Sequence, residues 1–122
     1  MIETQTVTNW IDAYRRAWDS NDPDDIQALF TEDGVYRFRP DESDPATGHE
    51  ALVAAWLRDK DEPGDTTFDY EVLGVSGDRA FVQAVTNYLK HGDVYDNLWV
   101  IDFTADGRAR SFTEWFMKRK AS

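Results

Sequence analysis

The chain has 122 residues, of which 24 are acidic, 13 are basic and none is cysteine, giving a net charge of −11. This length supports one domain with a single hydrophobic core, and residues 1–122 are treated as that domain. The acidic surplus repels phosphate backbones and excludes nucleic acid as a partner, while the absence of cysteine excludes disulfides, thiolate metal sites and cysteine nucleophiles.

Helical signals occupy the first half of the chain. Apolar residues over Val7–Trp18 recur with the spacing of an amphipathic helix. Asp22-Pro23 is typical of the start of a second, short helix that carries Phe30 inward. Thr47 and Glu50 have the spacing of a capping box and predict the start of a third helix.

Strand patterns dominate the second half. One strand is predicted earlier, at Gly34–Arg39, and four follow the third helix at about 66–75, 79–90, 94–104 and 108–117. Short glycine-containing turns separate these four strands, which is the pattern of an antiparallel meander. The sequence therefore predicts an α+β fold in which a curved antiparallel sheet wraps three helices.

The strand predicted at 94–104 has two different faces. Asn97 and Trp99 lie on the side that carries most of its aromatic residues, which we expect to face the helices. Leu98 and Val100 lie on the opposite side, where water would otherwise surround them. A homodimer that pairs two sheets would cover these two residues, and we expect that assembly.

No membrane partner is expected. The longest uninterrupted apolar run, Ala51–Leu57, is far too short to cross a bilayer. The first residues carry neither the basic nor the apolar segment of a signal peptide, which predicts a cytoplasmic protein.

The order of elements resembles the cone fold of the nuclear transport factor 2-like superfamily, which includes ketosteroid isomerases and SnoaL-like polyketide cyclases. The resemblance covers about residues 10–117 and is carried by Tyr14–Phe30, Gly48–Leu52 and Asp106-Gly107-Arg108. It implies a cone-shaped barrel with one pocket. It implies no single activity, because the superfamily holds isomerases, dehydratases, hydrolases, cyclases and non-enzymatic binders.

The match to ketosteroid isomerases is partial at the level of single residues. Tyr14 falls where those enzymes have the tyrosine that hydrogen-bonds a developing enolate. Their general-base aspartate is absent from the corresponding stretch, Phe38-Arg39-Pro40, and their second donor corresponds to Trp99. The resemblance therefore implies the cavity but not the steroid chemistry.

Glu114 is the most informative carboxylate, because it lies among aromatic residues in the last predicted strand. If Phe112, Glu114 and Phe116 face the cavity, burial raises the pKa of Glu114 into the range of a general base. The opposite parity places Glu114 on the outer face of the sheet. The family pattern for this strand favours the inward orientation, in which Glu114 is either catalytic or simply hydrogen-bonded to a neighbour.

Two further candidates have both a functional and a structural interpretation. The hydroxyl of Tyr14 either donates to a ligand oxygen or fills core volume with a bond to a neighbour. Asn97 either orients a substrate or bonds within its own sheet. His49 and His91 lack the spacing of metal ligands, and no phosphate-binding loop is present, so neither a metal nor another cofactor is implied.

Aromatic residues make up 14% of the chain, more than a core of this size requires. Rings also line ligand cavities, so composition predicts a pocket without naming its ligand. We expect a small hydrophobic ligand there. We expect the pocket to be lined by Trp10, Tyr14, Trp18, Tyr36, Phe38, Trp56, Tyr70, Trp99, Phe112 and Phe116.

Two functions remain open from the sequence. One is a cofactor-independent enzyme that isomerises, dehydrates or hydrolyses a small, apolar, oxygenated compound, with Glu114 moving the proton, Tyr14 polarising an oxygen and Asn97 orienting the substrate. The other is a non-catalytic ligand-binding or dimerisation domain that uses the same rings for affinity.

Overall fold

The computed structural model describes residues 2–120. Over this range three helices and six strands are formed: α1 (Thr4–Ser20), α2 (Pro23–Ala28), β1 (Phe30–Arg37), β2 (Ala46–Thr47), α3 (His49–Arg58), β3 (Thr66–Ser76), β4 (Arg79–Tyr88), β5 (Asp93–Phe103) and β6 (Ala109–Lys118). The predicted α+β class, with helices in the first half and four long strands in the second, is confirmed. Within the same range, no helix is long and apolar enough to cross a membrane.

The strands form one curved sheet in the order β2-β1-β6-β5-β4-β3. The long strands β3 to β6 are antiparallel neighbours, as the meander pattern predicts. β1 lies parallel to β6, with Tyr36 opposite Phe112, so the sheet is mixed rather than wholly antiparallel. A parallel pair needs a crossover connection, and here α3 and the intervening strands supply it.

The second helix begins as predicted but ends early. The Asp22 side chain caps it by accepting a hydrogen bond from the backbone N–H of Asp24 at 2.9 Å. The helix ends at Ala28, and Phe30, expected on this helix, is instead the first residue of β1. Phe30 is fully buried there, so its inward orientation holds although its element differs.

The predicted capping box of the third helix is wrong. Thr47 belongs to β2, where it pairs with Val35, and its hydroxyl donates to the carbonyl oxygen of Pro45 at 3.2 Å. Gly48 is the residue that precedes the helix, with a φ of 87° that favours glycine. Its N–H donates to the carbonyl oxygen of Gly34 at 2.8 Å, so the strand pairing sets where the helix begins.

The apolar face of α1 packs into the concave side of the sheet. Its 3–4 residue spacing brings Val7, Trp10 and Tyr14 to one side, and all three are buried. From the sheet, Trp99 and Phe112 meet this face and are completely buried. Burying a large apolar side chain contributes about 1.5–3 kcal/mol to stability, so this contact fixes α1 across the sheet.

The convex side of the sheet carries apolar surface. Leu98 and Val100 of β5 are half-buried, and Leu98 lies opposite Trp115 of β6. The exposed fraction of Trp115 is 48%, and that of Met117 on the same strand is 73%. A monomer therefore exposes an apolar strip along β5 and β6.

Candidate functional site

A pocket of about 490 Å³ lies where the C-terminal ends of α1, α3, β1, β4 and β6 meet the start of β5. This volume is within the range of small-molecule sites, about 300–1,000 Å³. Aromatic side chains form most of the walls: Tyr14, Trp18, Tyr36, Phe38, Trp56, Tyr88, Tyr95 and Phe116. All except Tyr88 and Tyr95 are among the candidates taken from the sequence.

Three of the expected lining residues lie in the core beneath the pocket instead. Trp99 and Phe112 are fully buried and pack against Tyr14, with ring centroids 5.4 and 5.5 Å from its ring, and neither lines the cavity. Trp10 lies one turn before Tyr14 in α1, where its indole N–H donates to the carbonyl oxygen of Leu29 at 2.8 Å. These rings support the pocket floor but do not line it.

Tyr70 also lies away from the pocket. It is on the edge strand β3, half-buried, with its ring centroid 6.3 Å from that of Phe68. Phe68 in turn stacks on Trp18 at 5.4 Å, so Tyr70 reaches the pocket wall only through two other rings. Alternation along a strand identifies the face on which a side chain lies but not how far that side chain is from the pocket. Tyr70 was therefore predicted from the sequence to line the pocket.

Glu114 faces the pocket. Its neighbour Trp115 lies on the convex side, while Phe112, two residues earlier, is fully buried in the core. Because side chains alternate along a strand, this fixes Glu114 on the concave side. The carboxylate is partly accessible because it borders the cavity.

A chain of hydrogen bonds holds the Glu114 carboxylate. The Thr86 hydroxyl donates to Asn97 Oδ1 at 2.8 Å, and Asn97 Nδ2 donates to Glu114 Oε2 at 3.3 Å. Thr86 and Asn97 are both buried, and they sit on the neighbouring strands β4 and β5. Thr86 was missed from the sequence, because its role depends on the pairing of those strands. The Thr86 bond fixes the amide orientation that turns the Asn97 donor toward Glu114.

Burial raises the pKa of Glu114 to about 8 from its ordinary value of 4.5. The hydrogen bond from Asn97 opposes the rise, as does the nearby indole N–H of Trp99, because donors stabilise the charged form. Within residues 2–120, Nε1 of this buried indole has no hydrogen-bond partner, so Asn97 supplies the hydrogen bond that the carboxylate accepts. Desolvation among aromatic rings thus exceeds the effect of the available donors.

The two tyrosines beside Glu114 keep their protons. Burial raises the pKa of Tyr14 well above its ordinary value, and the nearby Tyr36 and Glu114 raise it further. Burial likewise raises the pKa of Tyr36. Both hydroxyls therefore remain neutral hydrogen-bond donors over the whole physiological pH range. At the cavity edge, the pKa of Tyr88 is raised to about 12, also mainly by burial.

Charged residues surround the mouth of the pocket, and sequence patterns did not identify most of them. They are Arg39, Glu42, Arg58, Asp59, Lys60 and Asp61. Asp61 accepts a hydrogen bond from the indole N–H of Trp18 at 3.1 Å, and its backbone carbonyl accepts one from Asn21 at 3.1 Å. These bonds fasten the segment after α3 to the end of α1 and shape one side of the mouth.

Among the described residues, no group of three or more His, Cys, Asp or Glu side chains is arranged to hold a metal ion. His49 is instead bonded through Nε2 to the carbonyl oxygen of Phe30 at 2.9 Å, where it links α3 to the start of β1.

Several solved structures share this fold. An NTF-2 like protein from Burkholderia xenovorans LB400 is 15% identical, with a TM-score of 0.73 over 97% of this chain and 88% of that one. A ketosteroid isomerase-like protein from Erwinia carotovora atroseptica is 21% identical, with a TM-score of 0.63 over 93% and 95%. An LEH-like epoxide hydrolase from M. tuberculosis is 18% identical, with a TM-score of 0.64 over 95% and 86%.

Among proteins with curated descriptions, none matches the chain. The family model of the SnoaL-like domain matches residues 11–113, which includes the pocket from Tyr14 to Asn97 and ends just before Glu114. The chain therefore belongs to the SnoaL-like domain family, within the nuclear transport factor 2-like superfamily.

Proposed function

We propose that this domain is a cofactor-independent isomerase that moves a proton within a small, mostly apolar carbonyl compound. The observation that carries the proposal is the carboxyl group of Glu114, enclosed among aromatic rings at the pocket wall with a pKa of about 8. Such a group exists in both protonation states near neutral pH, so it can remove a proton and return it.

Isomerisation is the reaction that needs the fewest groups. In a carbonyl compound whose C=C bond lies one carbon away from the C=O, the Glu114 carboxylate takes a proton from the carbon between them, and the electron pair moves onto the carbonyl oxygen to give a dienolate. The carboxylic acid then returns the proton to the far carbon of the C=C bond, while the carbonyl reforms and the double bond shifts into conjugation with it. Dehydration and hydrolysis both need a further acid or base. The other carboxylates around the pocket, Glu42, Asp59 and Asp61, lie at its charged mouth.

Tyr14 and Asn97 have separate roles in this proposal. The Tyr14 hydroxyl, kept neutral by burial, donates to the oxygen on which negative charge develops. Asn97 holds the carboxyl group of Glu114 in place through its 3.3 Å hydrogen bond and orients the substrate beside it. Glu114 thus replaces the aspartate base that the isomerase pattern would have placed in the Phe38-Arg39-Pro40 stretch.

The names of similar proteins support the reaction class only loosely. One is called ketosteroid isomerase-like and another an LEH-like epoxide hydrolase, and both are below 25% identity to this chain. Those names are consistent with chemistry on a small oxygenated compound, and the choice of isomerisation rests on the residues of this pocket.

The test is a paired measurement on the parent protein and the Glu114→Gln variant. Both are incubated with a panel of cyclic unsaturated ketones, and isomers are resolved by chromatography while binding is followed by native mass spectrometry. We expect isomerisation by the parent and a 10²–10⁴-fold lower rate for the variant, with similar binding. Binding by both proteins without turnover by the parent supports the second candidate, a non-catalytic ligand-binding domain.

We further propose that two copies associate through the convex side of the sheet. The support is the apolar strip formed by Leu98, Val100, Trp115 and Met117, since an exposed strip of this kind is unusual for a monomer in water. Pairing two such strips would bury them and would leave the pockets, on the concave side, open to solvent.

A further inference from the structure

Two cations at the mouth of the pocket have no acidic partner among the residues that the structure describes. Arg39 and Lys60 both line the mouth, and neither forms an ion pair within residues 2–120. Two of the unpaired bases in this range therefore lie at one cavity edge, although the chain has 24 acidic and only 13 basic residues. Arg58, between them in the sequence, is paired with Asp59 at 3.1 Å.

Arg39 is held by an aromatic ring instead of an acid. Its guanidinium carbon lies 5.2 Å from the ring centroid of Phe116, which is itself at the mouth and 45% exposed. A guanidinium over a ring is oriented by the cation–π contact and keeps its N–H donors available. Arg39 is thus directed to the pocket edge with its hydrogen-bonding capacity unused.

We propose that the mouth binds the carboxylate group of the pocket's ligand, with Arg39 as the main contact and Lys60 as a second positive charge. The ligand is then an amphipathic acid whose ring-containing body fills the aromatic cavity. This inference deepens the proposed function, since it names the substrate class of the same pocket, but it depends only on binding and not on turnover.

The surroundings favour a single negative charge. Asp59 is paired with Arg58 at the surface, and Asp61 accepts a hydrogen bond from Trp18 and has a pKa raised mainly by burial. These carboxylates and Glu42 still repel a dianion more strongly than a monoanion. The planar guanidinium also matches the two oxygens of a carboxylate. A phosphate monoester therefore fits this mouth less well than a carboxylic acid.

The anionic group is expected to stay at the mouth and not to enter the cavity. The interior is lined by rings, and its polar groups Tyr14 and Glu114 already lie in an environment that disfavours charge. A second negative charge beside them would lose its hydration without gaining a cation. The ligand is therefore oriented with its acid outward and its apolar body toward Glu114.

The test uses three ligands with the same ring system: 2-naphthoate, its uncharged methyl ester and 2-naphthyl phosphate. Dissociation constants are measured by isothermal titration calorimetry for the parent and for Arg39→Gln, Arg39→Lys, Lys60→Gln and Arg16→Gln. Arg16 is the control because it is exposed on α1, lies outside the pocket and also has no ion pair within residues 2–120.

We expect Arg39→Gln to weaken 2-naphthoate about tenfold and to leave the methyl ester unchanged. Arg39→Lys is expected to fall between the parent and Arg39→Gln, and Lys60→Gln to cost about twofold. Arg16→Gln should leave all three ligands unaffected. 2-Naphthyl phosphate should bind more weakly than 2-naphthoate, and added salt should weaken only the charged ligands.

Two results would overturn the proposal and leave the proposed pocket intact. In the first, the parent binds the methyl ester, but the dissociation constant of 2-naphthoate is unchanged by Arg39→Gln or is raised as much by Arg16→Gln as by Arg39→Gln. The other is tighter binding of the phosphate than of the carboxylate. If the parent binds neither naphthoate nor its ester, the small-molecule pocket itself is refuted, and the acid-binding mouth with it.

Discussion

Glu114→Gln is predicted to stabilise the protein, and to do so more as the pH rises. The parent must desolvate a carboxylate above the pKa of the folded state, about 8, whereas the unfolded chain ionises this group near 4.5. Between these two pH values the folded state therefore binds more protons than the unfolded chain. The contribution of Glu114 to the free energy of unfolding is greatest below about pH 4.5 and declines as the pH rises to about 8. Glutamine has nearly the same shape and no charge, so the free energy of unfolding of the variant does not decrease with pH for this reason.

The magnitude follows from the width of that pH window. Each pH unit within it lowers the free energy of unfolding of the parent by about 1.4 kcal/mol, and the slope decreases near pH 8. From pH 6 to pH 8 the parent should thus lose about 2 kcal/mol relative to Glu114→Gln. This interval stays well away from the isoelectric point near 4.4, where the protein would precipitate.

The assay is urea denaturation followed by tryptophan fluorescence at pH 6, 7, 8 and 9. Glu71→Gln is the matched control, since Glu71 is exposed on the edge strand β3. We expect the difference between Glu114→Gln and the parent to grow with pH and the difference for Glu71→Gln to stay constant. Parallel curves for Glu114→Gln and the parent would refute the claim that burial raises the pKa of Glu114.

Four further predictions follow from single contacts. Tyr14→Phe should lower turnover about 10²–10³-fold if its hydroxyl stabilises a developing oxyanion, with binding measured alongside by calorimetry. Asn97→Leu should move the titration midpoint of Glu114 to higher pH, as read from the pH–rate profile, because a donor to the carboxylate is lost. Trp115→Glu should give a monomer by sedimentation, while Leu73→Glu, at an exposed position on the edge strand, should leave the dimer intact; a parent that sediments as a monomer would contradict the sheet pairing. Gly34→Ala should cost about 1–3 kcal/mol in urea denaturation, because the new methyl group would lie 3.0 Å from Phe30 Cβ and from the carbonyl oxygen of Thr31.

The regular parts of the fold could be predicted because local patterns determine them. The apolar residues with helical spacing from Val7 to Trp18 lie within α1. The strand predicted at 94–104 from alternating side chains matches β5 to within a residue. The start of α3 could not be predicted in the same way. Thr47 and Glu50 satisfy the local capping pattern, but a non-local pairing between β2 and β1 engages Thr47 first.

The parallel contact of β1 with β6 could not be predicted for a similar reason. It joins residues more than seventy positions apart, such as Tyr36 and Phe112, and no pattern within either strand encodes its direction. The core could be predicted more fully than the wall of the pocket. Hydrophobicity and periodicity identify which rings face inward, but only the packed structure separates Trp99, under the floor, from Phe116, at the mouth.

The grouping of charged residues at the mouth and the hydrogen bond of Thr86 could not be predicted from the sequence. For Arg39, the distortion of the strand end by Pro40 already allowed a position over the cavity mouth with an acidic ligand, as an alternative to an outward side chain. Lys60 lies in the segment that follows α3, where a charged residue normally indicates only a solvated loop. Their importance comes from meeting at one cavity edge. Thr86 is likewise ordinary until the pairing of β4 with β5 brings its hydroxyl to Asn97.

The proposed role of Glu114 as the group that moves the proton is tested most directly by titrating its carboxyl group. Carbon-13 NMR of protein labelled at the glutamate carboxyl carbon follows each side chain as the pH is raised, and Glu114→Gln assigns the signal by its absence. We predict that this one resonance titrates with a midpoint near 8. A midpoint near the ordinary glutamate value of 4.5 would show a solvated carboxylate and would contradict its proposed role as the group that moves the proton.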